Sequence, residues 1–233
     1  MRLPGRLATL AGLAILVVAS NGLAADSVCF GTPANGRLED AARIPRSGAN
    51  FRPYSDLGVQ LGRTHAHSRV VRVITQAYAT LEKSMPDRVF VYGESGWAQG
   101  GRFRPHRTHQ NGLAIDFMVP VLDETGRSVP LPTRLDNKFG YGIEFDREGR
   151  HGRHRIDYEA IAEHLHALHV AARREGIAVN RVIFDPQLIP ALYRTRRGDF
   201  IRKQVRFMPG QAWVRHDEHY HVDFGIPCRP LEG

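Results

Sequence analysis

Cys29 and Cys228 are the only cysteines of the chain and stand near its two ends, so a bond between them would oblige the fold to bring those ends together. Whether they pair depends on the compartment. Arg2 and Arg6 precede an apolar run from Leu7 to Ala19, and the small residues of "SNGLAADS" follow, with Gly22-Leu23-Ala24 as a cleavable exit. A positive start, an apolar stretch too short for a bilayer and a small-residue exit make a secretory signal peptide. Residues 1–24 are expected to be removed and 25–233 to form one exported domain. In an oxidising compartment an even cysteine pair reads as a disulfide. Closing so long a loop stabilises by roughly 5 kcal/mol in the chain-entropy model. Neither cysteine has the CxxC neighbour that a thiolate metal site would need.

A chain of 233 residues with 42% hydrophobic and 24% charged side chains can bury one ordinary core and is not disordered. The formal charge of +8 falls by two when residues 1–24 leave. An exported basic protein meets wall and lipid polyanions first, and the chain carries no basic helix motif or stacking platform for nucleic acid.

Periodicity supplies the elements. Residues 26–62 are rich in Gly, Pro, Asn and Ser and read as an extended arm. Between His65 and Ser84, Val70, Val73, Ile74, Ala77, Tyr78 and Leu81 recur at helical spacing, and Pro86 ends the run. "RVFVYG" (88–93) and "GLAIDFMV" (112–119) read as strands, with a glycine-rich loop between them. On the second strand Leu113, Ile115 and Phe117 face one way and Ala114, Asp116 and Met118 the other. Residues 120–155 show no period and read as an excursion. A helix is expected from the N-cap Asp157 to Glu175, closed by Gly176. On it His164, His166 and His169 read as surface polar positions. "NRVIFD" (180–185) is a third strand, Asp185-Pro186 has the signature of another helix start, and "HYHVDFG" holds the last strand. The expected fold is α+β: a single domain whose central antiparallel sheet carries the site, flanked by helices.

Five of the twelve histidines lie in two short segments a hundred residues apart, "HRTHQNGLAID" and "HDEHYH". Alternation puts His219 and His221 on one strand face, with Tyr220 and Val222 on the core side. His109, Asp116 and His221 would offer two imidazoles and a carboxylate, a set suited to Zn²⁺ with an open fourth position. Such a site keeps a net charge of about +1, which favours ionisation of water at the ion. "GESGW" (93–97) nearly makes a G-x-S-x-G nucleophile elbow, but Trp97 stands where the last glycine belongs, which argues against a Ser95 hydrolase.

These segments resemble the penicillin-insensitive murein endopeptidases (peptidase family M74), within the lysostaphin, D-Ala-D-Ala peptidase and hedgehog-type zinc group. The resemblance covers "GGRF" (100–103), the H-x-x-H-Q-x-G-x-x-x-D frame at 106–116, "RVIFDP" (181–186) and the W-x-x-H-x-x-H-x-H frame from Trp213 to His221. It implies a zinc metallopeptidase in which His109, Asp116 and His221 hold the ion and His219 is the catalytic histidine. His106 would join on the metal side and His216 on the catalytic side. Glu148-x-x-His151 falls where relatives carry an acid-x-x-His that can hold a second metal, with glutamate here in place of aspartate. The substrate implied is periplasmic peptidoglycan, cut at D-alanyl–diaminopimelate cross-links, with Arg102, Arg104 or Arg107 able to meet its carboxylates. Neither nucleic acid nor stable membrane insertion belongs to this expectation. No S-x-x-K serine is present for a penicillin to acylate, and no HExxH helix brings a glutamate base. The alternatives are a zinc D-Ala-D-Ala carboxypeptidase or dipeptidase on the same fold, and a non-catalytic wall-binding module.

Overall fold

Residues 219–225 are buried almost throughout, as a strand covered on both faces must be, and they form an interior strand of the main sheet. The computed structural model describes residues 26–231; the expected signal peptide lies outside them. Seven elements build the core: β1 (Phe51–Pro53), α1 (Ser68–Ser84), β2 (Phe90–Tyr92), β3 (Ala114–Met118), α2 (Tyr158–Arg174), β4 (Ala178–Ile183) and β5 (His219–Gly225). The strands form one sheet in the order β4-β5-β3-β2-β1, antiparallel except for the parallel β1–β2 pair.

The helical spacing seen in the sequence becomes a buried stripe on α1: Val70, Val73, Ile74, Ala77, Tyr78 and Leu81 are all buried. Burying a side chain such as Ile74 stabilises by about 1.5–3 kcal/mol. His67 caps the helix, its Nδ1 accepting the Arg69 N–H at 3.2 Å. Helix α2 packs against α1. Its N-cap Asp157 accepts from the Ala160 N–H (3.1 Å) and from Arg88 Nε (2.6 Å), and Gly176 closes it at φ +65, a left-handed position that favours glycine. Register fixes the faces of the sheet. His221 pairs with Asp116 and Tyr220 with Phe117, and the Phe117 and Tyr220 rings stack at 5.6 Å. Asp116, His219 and His221 therefore share the opposite face.

The disulfide is present: Cys29 and Cys228 are joined with their Cα atoms 4.8 Å apart, closing a separation of 199 residues. Among the described residues no helix is long and apolar enough to cross a membrane.

Four expectations change. Residues 26–62 are more than an arm: a hairpin (Val28–Thr32 with Asn35–Glu39) is followed by β1, an edge strand of the main sheet. Strands of three to five residues are too short for alternation to register. Residues 120–155 carry a second sheet of short strands (121–122, 128–129, 150–151 and 154–156), seated on buried Leu131, Ile143, Phe145 and Ile156. Asp185-Pro186 starts a turn rather than a helix; Asp185 Oδ1 accepts the Gln187 N–H at 2.9 Å, and the helix that follows spans only Ile189–Leu192. His164 is not a surface residue but fully buried, stacked on Tyr78 and hydrogen-bonded to the Tyr220 hydroxyl. His166 and His169 are half-buried, set edge-on against Phe200.

Candidate functional site

Two chain segments build the site, the loop from Gly93 into β3 and the strand β5. Gly93 is forced by crowding: a Cβ there would come within 2.9 Å of Asp116 Cβ and 2.7 Å of Tyr141 Oη. His109 adopts φ +71, a left-handed conformation that costs a non-glycine residue roughly 1–2 kcal/mol. Its Nδ1 holds the ring there, donating to the Ala114 carbonyl at 3.0 Å, with the Ser95 carbonyl at 3.3 Å.

Asp116 is fully buried, and four imidazoles surround its carboxylate. His221 Nδ1 is 2.9 Å from Oδ1, His109 Nε2 3.3 Å and His219 Nε2 3.8 Å. His106 Nδ1 lies 3.7 Å from Oδ2, which also accepts the Tyr141 hydroxyl at 3.0 Å. Burial alone would raise the Asp116 pKa, but the imidazoles packed around it, those of His109 and His219 foremost, hold it well below the carboxylate range. Burial lowers the pKa of His109. It would lower that of His221 as well, but hydrogen bonds to Asp116 and Asp223 outweigh it and push the value up to about 9.

Lone pairs decide whether this donor set suits a metal. His109 donates from Nδ1 to a carbonyl, so its Nε2 is bare; that atom is buried and has no hydrogen-bond partner among the described residues. An orphaned imidazole nitrogen 3.3 Å from a carboxylate oxygen has the spacing of two donors sharing one ion at about 2.0–2.1 Å. His221 gives its Nε2 proton to Asp223 Oδ1 at 2.9 Å, so a neutral ring would turn a second bare nitrogen on Asp116. A shared cation removes that repulsion. His106, His109 and Asp116 place ligand atoms within 4.8 Å of one another and could hold a metal, and His221 closes on the same carboxylate from β5.

Around these residues opens a cleft of about 1020 Å³. His216 lines it, its ring 4.6 Å from that of His219 and its Nδ1 donating to the Val214 carbonyl at 2.9 Å. Burial pushes the His216 pKa down to about 3. His219 donates from Nδ1 to Glu218 Oε1 at 2.7 Å. Exposed Leu135 and Trp213 sit on the rim, and the Arg107 guanidinium lies 5.7 Å from the Trp213 ring centroid. Arg102 and Arg104 do not line the cleft. Glu148 and His151 are exposed, outside it, and the His151 Nδ1 donates to the Glu144 carbonyl at 2.9 Å. Ser95 is fully buried, its Oγ without a partner among the described residues.

Three groups went unread in the sequence. Asp223 continues the alternation of His219 and His221 by two more residues, so its face was legible. Glu94 stood beside Ser95 in "GESGW"; here its buried carboxylate binds Arg63, Tyr54 and His106. Tyr141 comes from the unpatterned excursion and carried no signal.

Comparison with curated proteins finds no match. The family model of the penicillin-insensitive murein endopeptidases (peptidase M74) matches residues 29–230, from the first half-cystine to just past the second. A match across every element that builds the cleft shows that the chain belongs to this murein endopeptidase family.

Proposed function

We propose that the cleft is a zinc-dependent site that hydrolyses D-alanyl–diaminopimelate cross-links of peptidoglycan, in a protein exported to the periplasm through a cleaved signal peptide. The observation that carries this reading is the bare, buried Nε2 of His109 beside Asp116. Family membership supplies the wall peptide as substrate. His109, Asp116 and His221 would hold the ion, with His106 beside them. Zinc bound there would polarise the scissile carbonyl and make water more acidic. The chain's own groups do the rest. Glu218 accepts a hydrogen bond from the His219 Nδ1–H and turns that ring so that its Nε2 faces Asp116, which makes Nε2 the atom to hold a proton for the leaving amine. His216, tied at Nδ1 to Val214, keeps its other nitrogen available to relay that proton. Arg107 on the rim provides a cation for substrate carboxylates. A cleft of about 1020 Å³ suits a branched cross-linked peptide better than a terminal dipeptide, which favours an endopeptidase over a carboxypeptidase.

Cross-linked muropeptide dimers incubated with the purified protein should give monomers, by mass, in a reaction that a chelator stops and zinc restores. Free D-alanine released from intact dimers would mean a carboxypeptidase, and binding without products would mean a wall-binding module. His109→Ala should lose the zinc. His219→Ala should keep about one zinc per chain and lose turnover by on the order of 10²–10⁴-fold; retained turnover would refute its role.

A further inference from the structure

The segment "GESGW" contributes no nucleophile, yet the Glu94 carboxylate lines the cleft and is engaged on both oxygens. Its Oε1 accepts the Tyr54 hydroxyl at 2.7 Å and Arg63 Nε. Its Oε2 accepts Arg63 Nη2 at 3.0 Å and meets His106 Nε2 at 2.5 Å. Arg63 is fixed in turn, its guanidinium 4.1 Å from the Phe103 ring centroid and 4.9 Å from that of Trp97. The residues of "GESGW" and "GGRF" thus close into one assembly behind His106.

A carboxylate that pairs with both Nε and Nη2 of an arginine and accepts a phenol hydroxyl is ionised and can only accept. The imidazole nitrogen that meets it must therefore carry the proton. The other nitrogen, Nδ1, is then bare and lies 3.7 Å from Asp116 Oδ2. We propose that Glu94 is the positioning residue of the site: by accepting from His106 Nε2–H it fixes the tautomer that turns the Nδ1 lone pair toward Asp116 and the ion. The inference rests on the metal reading of the cleft for its consequence, but not for its geometry. It gives His106 the arrangement of a metal-facing imidazole oriented by an outer carboxylate.

Nitrogen-15 NMR of the metal-free wild-type protein at alkaline pH tests the tautomer directly. His106 should be protonated at Nε2 and bare at Nδ1. Glu94→Gln keeps the shape but offers an amide N–H₂, which should move the proton to Nδ1 and weaken Zn²⁺ binding, measured by competition with a chromophoric chelator, by about 10–100-fold. Tyr54→Phe removes a different donor from the same carboxylate and should leave the tautomer unchanged, which separates positioning from general support of Glu94. Wild-type His106 protonated at Nδ1 would overturn the proposal, as would a Glu94→Gln protein with unaltered tautomer and zinc affinity. A wild-type protein with the Nε2–H form that takes up no zinc would sink the metal reading while leaving the hold of Glu94 on His106 intact.

Discussion

His164 should make this protein sensitive to mild acid. Its ring is wholly buried beneath β5, stacked on Tyr78 at 5.1 Å, edge-on to Phe117 at 4.7 Å, and bonded to the Tyr220 hydroxyl. Among the described residues no carboxylate bonds to it to receive a charge, and burial pushes its pKa down to about 3. The unfolded chain binds the same proton near pH 6.5. As pH falls, the unfolded state is therefore protonated first, so the contribution of neutral His164 is complete above about pH 6.5 and is lost between there and about pH 3. At about pH 5 the loss is 1.5 pKa units, or about 2 kcal/mol, a large share of an ordinary domain's 5–15 kcal/mol. The perturbation is His164→Leu, and the assay is urea unfolding of both proteins at about pH 7.5 and about pH 5. Losing the partner of the Tyr220 hydroxyl costs about 1–3 kcal/mol at either pH and cancels in the comparison. His67 and His216, also held low by burial, titrate in both proteins and cancel too. The wild type should lose about 2 kcal/mol more than the variant over this interval. Parallel pH curves would refute the reasoning.

Replacing both Cys29 and Cys228 by serine should cost about 5 kcal/mol for a separation of 199 residues, a fall in Tm of roughly 10–20 °C by calorimetry. A loss under about 1 kcal/mol would mean that the backbone bonds between Cys29, Gly31 and Arg229 already hold the ends together. Ser95→Ala should leave kcat/KM on muropeptide dimers within about twofold, because the buried Oγ bonds to none of the described residues; a loss of about 10³-fold would restore the serine as nucleophile. Tyr141→Phe strips one hydroxyl from both the Glu94 N–H (2.9 Å) and Asp116 Oδ2 (3.0 Å). It should cost about 1–3 kcal/mol in unfolding free energy and weaken zinc binding about tenfold; wild-type values in both would refute the bridging role.

What was legible in the sequence had a period or a fixed frame. The α1 stripe, the Asp157 cap and the alternation of β5 came through because each repeats a local geometry at short range. Pairing His221 with Asp116 needed only that alternation and an antiparallel partner. Glu94 and Tyr141 stayed hidden because their role exists only where the chain crosses itself, and Arg63 joins Glu94 from the short stretch between the expected arm and the first helical pattern. His164 was misread for a related reason. Histidines at 164, 166 and 169 cannot share one helix face, and the sequence did not say which of them faced inward; Tyr220, from the far end of the chain, supplies its partner.

The order of the strands sets when this hydrolase can come into being. Strand β5 is the last of the sheet to be synthesised, and it carries His219, His221 and Asp223 between β3 and β4. A chain that stops short of β5 therefore has neither a closed sheet nor a complete set of imidazoles, however well its first two hundred residues fold. Whatever the cleft cuts, the cutting waits for the strand that is made last.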